Sequence, residues 1–160
     1  MIDDSEIAQG KTAGDLTREA IWYSIHTIIA VLVLAVVVAA FWLAHVDSDS
    51  IGPKELCTVL AFVVPMTVGF IIARARQDSI ARYIWISGLL TFSIVCVWVL
   101  DLPTGNGLCE KCGALDKLFR TFFDINHGSG LMGGDGLLVG TWIPLSMIGY
   151  AFGAKLGYRE

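Results

Sequence analysis

Four long apolar runs, separated by polar segments, dominate the pattern of hydrophobic and polar positions along the chain. They cover about 21–45, 56–73, 83–100 and 137–154. A helix rises about 1.5 Å per residue, so runs of this length match the roughly 30 Å hydrocarbon core of a bilayer. The pattern therefore predicts an all-α integral membrane protein with four transmembrane helices.

The four runs differ in the strength of their signal. The first contains no Asp, Glu, Lys or Arg and carries Trp22 and Trp42 near its ends, where the membrane interfaces favour tryptophan. The second contains Pro65, at which we expect a kink. The fourth is the weakest because it contains several glycines and Pro144. The acidic residues of 1–20 and the length of the first run favour a retained helix behind a polar tail over a cleaved signal peptide.

The segment between the third and fourth runs, residues 101–136, is much longer than an ordinary connection. Its apolar residues recur at helical spacing, at Leu115, Leu118, Phe119, Phe122 and Phe123. This predicts a short amphipathic helix over about 114–125. We expect that helix to pack on the rim of the protein, to lie on the bilayer surface, or to present a docking face to a partner.

Composition indicates that the chain lies in a membrane, and the distribution of charge indicates its orientation there. The chain is 55% apolar and 16% charged, whereas soluble domains carry about a quarter charged residues. Lys and Arg number seven in the two tails and the second loop, against four in the other two loops. The positive-inside rule then places residues 1–20 and 155–160 in the cytoplasm and the loop 101–136 outside it. For a bacterial inner membrane, that loop lies in the periplasm.

Glycines spaced four residues apart mark the fourth run as a packing element. Gly136 and Gly140 form one such pair, and Gly149, Gly153 and Gly157 form a longer stripe. Small residues at this spacing allow a second helix backbone to approach closely. The partner helix is predicted to belong to the same bundle or to another protomer. Alanines in the first run, such as Ala35 and Ala39, repeat the pattern more weakly.

The outer loop, residues 101–136, contains a Cys-x-x-Cys-Gly motif formed by Cys109 and Cys112. A structural disulfide, a redox-active dithiol and half of a zinc site all fit this spacing. A complete zinc site would require His127 together with an aspartate, or the same motif from a second chain. An oxidising periplasm favours the disulfide.

The architecture of four spans with an extracytoplasmic Cys-x-x-Cys resembles that of quinone-linked thiol oxidoreductases of the vitamin K epoxide reductase kind. That resemblance implies electron transfer through Cys109 and Cys112. These enzymes use two cooperating cysteine pairs, whereas the other two cysteines here, Cys57 and Cys96, lie apart in the second and third runs. We expect those two to act as small apolar side chains.

The spans lack the charged residues at mid-run that mark pumps and transporters. The glycines of 128–136 lack the residues of a phosphate loop, so neither nucleotide nor nucleic-acid binding is expected. The sequence therefore predicts a non-enzymatic subunit that assembles or anchors a larger membrane complex, or a homo-oligomer, without a cofactor. The alternatives are a membrane thiol oxidoreductase and an oligomeric channel or membrane sensor, for example in a stress or phage-defence system.

Overall fold

The computed structural model of the protein describes residues 13–44, 51–76, 78–102, 113–123 and 137–158. The regular structure of these residues is entirely helical. It comprises α1 (Ala13–Leu43), α2 (Ile51–Ala75), a 3-10 turn (Ala81–Tyr83), α3 (Trp85–Asp101), α4 (Ala114–Phe122), a π-helical segment (Leu138–Trp142) and α5 (Ile143–Gly157). The predicted all-helical class is confirmed.

Three helical units are long and apolar enough to cross a membrane, namely Gly14–Leu43, Ile51–Ala75 and Ala81–Asp101. They correspond to the first three apolar runs of the sequence, and they indicate a membrane protein. Their large apolar side chains are mostly exposed, among them Leu32, Val36 and Leu90. Such an exterior suits hydrocarbon as the surrounding solvent, because water would strongly disfavour it.

The fourth run forms a continuous helix over 137–157 that changes type along its length. The π-helical turn ends where the Ile143 N–H donates to the Leu138 carbonyl, and α5 follows with Pro144 in its first turn. Proline has no N–H to donate to the carbonyl four residues earlier, so the regular hydrogen-bond ladder is interrupted at this point. A wider turn accommodates the interruption.

Helix α5 occupies the centre of the fold and contacts α1, α2 and α3. Its buried residues are mostly small, and they include Gly149, Ala151 and Gly153. The main core cluster surrounds Tyr150 and contains buried residues from α1, α2, the connection just before α3, and α5: Ala30, Ala73, Ala81, Ile84, Met147, Tyr150, Ala151 and Ala154. The least apolar of the four runs is thus the most buried, because small side chains let three helices approach it.

A second cluster lies near the C-terminal end of α3 and holds α4. It contains Val95 and Val99 of α3 and Phe122 of α4. The ring of Phe122 lies 4.9 Å from that of Phe92, centre to centre. Phe122 thus attaches α4 to α3.

Candidate functional site

A seam of glycines joins α5 to α2. Each glycine of the stripe lies against a backbone carbonyl of α2, one helical turn further along each time: Gly149 against Phe62, Gly153 against Met66 and Gly157 against Phe70. A Cβ added at Gly157 would lie 2.5 Å from the Phe70 oxygen, and a Cβ at Gly153 would overlap the Met66 carbonyl. Because the residue numbers of both helices rise together along the seam, α2 and α5 run parallel.

A glycine of α2 also lies in the contact between the two helices. Gly69 of α2 faces the backbone of Tyr150, and a Cβ there would overlap the Tyr150 carbonyl. A hydrogen bond also joins the fourth run to α2 beyond the Gly149 end of the seam, where Trp142 Nε1 donates to Thr58 Oγ1 at 2.9 Å. The glycine stripe of the fourth run is thus occupied by a helix of the same chain.

A buried row of polar side chains lies at the other end of the bundle from α4. His26 of α1 is 2% exposed and Tyr150 of α5 is fully buried. His26 Nδ1 and the Tyr150 hydroxyl are hydrogen-bonded at 2.7 Å. On the opposite edge of the ring, His26 Nε2 lies 3.5 Å from Asp78 Oδ2, and it has no hydrogen-bond partner. The row joins α1, α5 and the connection between α2 and α3.

Asp78 is itself held in place, since its Oδ1 accepts a hydrogen bond from the Ile80 N–H at 3.1 Å. Two further contacts reinforce the same end of the bundle. The Arg76 guanidinium lies 3.6 Å from the centre of a Trp22 ring, and the Tyr23 hydroxyl is 2.6 Å from Ser87 Oγ. A buried hydrogen bond in an apolar setting is costly to break, because neither partner finds water in exchange. The polar row therefore fastens α1 to the rest of the bundle.

Helix α4 is attached to α3 through Lys117. The Lys117 Nζ donates to the carbonyls of Leu100 at 3.3 Å and Leu102 at 2.6 Å, at the C-terminal end of α3. A cation suits this position because the last carbonyls of a helix lack partners within it and carry partial negative charge. At the start of α4, the Gly113 N–H donates to the Asp116 carboxylate at 3.2 Å.

Phe122 completes this attachment by lying directly against Gly140, where a Cβ would overlap the phenyl ring. The Thr141 hydroxyl donates to the Phe122 carbonyl at 2.8 Å. The predicted apolar face of α4 is therefore divided. Phe122 points inward, whereas Leu115, Phe119 and Phe123 are 81%, 60% and 61% exposed. Lys117 and Thr121 are polar but buried, and each donates a hydrogen bond to a main-chain carbonyl.

Replacing Phe122 by alanine is expected to release α4 from the bundle. The change removes about 3 kcal/mol or more of packing, and a helix of this length is unstable without tertiary contacts. Trypsin should then cleave after Lys117 at least roughly tenfold faster in the purified protein. Phe123→Ala, which truncates an exposed ring, is the control, and equal cleavage of the two variants would show that Phe122 does not hold α4.

The other predicted site residues are placed as follows. Cys109, Cys112, His127 and Gly136 lie outside the described residues, so the disulfide, redox pair and zinc site stay predictions. Cys57 is buried and Cys96 partly buried, both with free thiols. Within the part of the chain that the structure describes, no group of three or more His, Cys, Asp or Glu side chains is arranged to hold a metal ion.

The pattern of apolar and polar positions does not identify Asp78 or Tyr150 as neighbours of His26. Tyr150 is 124 positions away along the chain, and only the packing of α5 against α1 brings the two rings together. The available signal was a lone histidine in an apolar run, which requires a polar partner when it is buried.

Comparison with known protein families, with curated proteins and with solved structures gives no match to this chain.

Proposed function

We propose that the protein is a small polytopic subunit, without enzymatic activity, that helps to assemble or anchor a larger complex in the cell inner membrane. The observation that carries the proposal is the one-sided attachment of α1. Its buried residues form one narrow row, His26, Ala30, Leu34 and Val37, and the helix continues to Leu43 without another buried residue. The remainder of a long helix is thus available to another membrane protein or to a second copy of the chain.

The exposed side of α1 has the composition expected of a helix–helix contact. Ala35 and Ala39, one turn apart, are both exposed and lie among large apolar side chains such as Leu32 and Val36. In lipid, small residues at this spacing favour close helix approach through van der Waals contact. The stronger stripe, on α5, is already occupied by α2, so α1 is the preferred surface for assembly.

The proposed topology has four crossings with both termini in the cytoplasm. The seam between α2 and α5 supports the fourth crossing, because the two helices run parallel and in register from Gly149 to Gly157. Such parallel packing is expected of a helix that crosses the membrane beside α2. The charge count of the tails and loops supports the orientation. In this topology α4 belongs to the extracytoplasmic loop, with Leu115, Phe119 and Phe123 at the membrane surface.

A scaffold role agrees with the use of the buried polar groups. His26, Tyr150, Lys117 and Thr141 each bond to a different element of the fold. Their hydrogen bonds hold helices at fixed positions, as a rigid assembly unit requires.

The test is the oligomeric state of the protein in mild detergent, together with co-purification from its native membrane. We expect the wild-type chain to elute with a partner or as an oligomer, with its mass measured by light scattering. Ala35→Phe and Ala39→Phe should reduce the recovered complex by roughly tenfold, because each places a large ring in the contact. Both positions are exposed, so the bundle itself should remain folded.

Ser93→Phe serves as the control, since it adds the same ring at an exposed position of α3. A wild-type protein that runs as a lone monomer and recovers no partner from its native membrane would contradict the proposed function. Loss of the complex in the Ser93 variant as well would show that the α1 stripe is not the contact.

A further inference from the structure

Arg82 lines an open groove between the start of α1 and the turn before α3. It is part of the 3-10 turn Ala81–Tyr83, at the first residues of the third membrane-type helix. Its guanidinium carbon lies 5.0 Å from the ring centre of Tyr83 and 5.3 Å from that of Tyr158. Its Nε is buried and has no hydrogen-bond partner. The two rings orient the cation through cation–π attraction but accept no conventional hydrogen bond from its Nε.

The adjacent groove has a volume of about 490 Å³ and is open to the surroundings. Its polar lining includes the side chains of Arg82, Ser79 and Tyr23, and its apolar lining includes Leu16 and Ile80. The groove lies between the start of α1 and the start of the helical unit Ala81–Asp101. Because both helices enter the apolar core from here, the groove lies at the depth of the lipid headgroups.

We propose that this groove binds the phosphate of an anionic phospholipid, with Arg82 as the group that contacts it. A guanidinium donates two parallel hydrogen bonds to phosphate oxygens, and it is the side chain best suited to this geometry. The Ser79 hydroxyl, in the same lining, offers a further donor. An acyl chain leaves the groove past Tyr83, which is 45% exposed and lies at the start of the third apolar run. Basic pockets between membrane helices are known to hold such headgroups.

The lining also restricts which phosphate fits. Arg82 contributes one guanidinium to the lining, which Glu19 shares, and one guanidinium matches a single negative charge better than two. A phosphodiester, with one charge, is therefore preferred over a phosphomonoester or free phosphate. Phosphatidylglycerol is the simplest membrane lipid with this chemistry.

A neighbouring groove on the other side of Ile80 suits the ligand less well. It is lined by three carboxylates and two arginines: Asp15, Glu19, Asp78, Arg18 and Arg76. The Arg76 guanidinium is stacked on Trp22. With acidic groups in excess, that groove would repel an anionic headgroup.

The experiment uses the full chain, purified and delipidated in neutral detergent, and titrated with short-chain phosphatidylglycerol while bound lipid is counted by native mass spectrometry. Arg82→Gln should weaken binding roughly tenfold, as expected for a lost charge-assisted hydrogen bond. Arg74→Gln is the matched control. Arg74 is exposed in the last turn of α2, outside the groove, and its replacement should leave binding unchanged. Equal affinity of wild-type protein and Arg82→Gln would overturn the proposal.

Two further titrations of the wild-type protein keep the proposal testable if the Arg82 variant does not fold. Phosphatidylcholine, which has no net charge, should bind at least about tenfold more weakly than phosphatidylglycerol. Equal binding of the two would overturn the proposal. Glycerol phosphate and inorganic phosphate supply the headgroup chemistry without a lipid chain, and binding as tight as that of the lipid would reject the lipid as ligand. The inference depends on the membrane position of the chain, and these results are independent of whether a partner subunit exists.

Discussion

Replacing Gly153 by alanine is expected to push α5 away from α2 and to lower the stability of the bundle markedly. The added methyl overlaps the Met66 carbonyl, which belongs to the backbone and cannot rotate away. Either the two helices move apart along the whole seam or the new methyl is strained. Overpacking of this kind costs about 1–3 kcal/mol, and more where neither backbone yields.

Thermal unfolding in detergent, followed by fluorescence-detected gel filtration, measures the effect. A loss of about 3 kcal/mol corresponds to a fall of roughly 10 °C in the transition temperature of a chain of this size. Gly52→Ala is the matched control, since no atom lies within 4 Å of the added Cβ. Alanine favours helix over glycine by about 1 kcal/mol, so the control is expected to be neutral or more stable. A stabilised Gly153→Ala protein would contradict the seam.

Replacing Tyr150 by phenylalanine is the second change with a large expected effect. The ring still fills the core, but the hydroxyl that bonds His26 Nδ1 is gone. Because both residues are almost completely buried, the imidazole nitrogen loses its partner without gaining water. We expect a loss of about 1–2 kcal/mol in the free energy of unfolding.

A double-mutant cycle with His26→Leu distinguishes a lost bond from lost packing. If the bond between the two side chains carries the effect, the double variant loses less stability than the sum of the two single variants. Tyr83→Phe, at a partly exposed tyrosine, is the control and should change stability by less than about 0.5 kcal/mol. Additive losses in the cycle would show that His26 and Tyr150 contribute independently.

The apolar pattern was sufficient to predict α1, α2 and α3, because each is a long run whose length alone matches a spanning helix. The fourth run was harder to interpret, since Pro144 and the glycines lower its apolar content. Those same residues place α5 at the centre, where small side chains are an advantage. The sequence also predicted a helix within residues 101–136, and the structure has α4 at Ala114–Phe122. Its docking face could not be predicted, because Lys117 is buried only through the position of the α3 carbonyls.

The contacts among His26, Asp78 and Tyr150 could not be predicted from helical periodicity. Helical periodicity describes neighbours within one helix, whereas His26, Asp78 and Tyr150 come from three separate parts of the chain. The sequence indicates that a histidine near the end of an apolar run needs a partner, but many tyrosines and aspartates satisfy that need equally well. Only the crossing of α1 and α5 determines which of them is within reach.

The parallel seam has a consequence for how the protein is made. Ribosomes deliver α1, α2 and α3 to the membrane insertion machinery before α5, yet α5 is the helix that all three contact. Until its glycines reach α2, the earlier helices lack their common neighbour and expose Gly69, Ala73 and Ile84 to lipid or to chaperones. Closure of the bundle is therefore a late event in biosynthesis, and quality-control proteases have their best opportunity to remove the chain before that point.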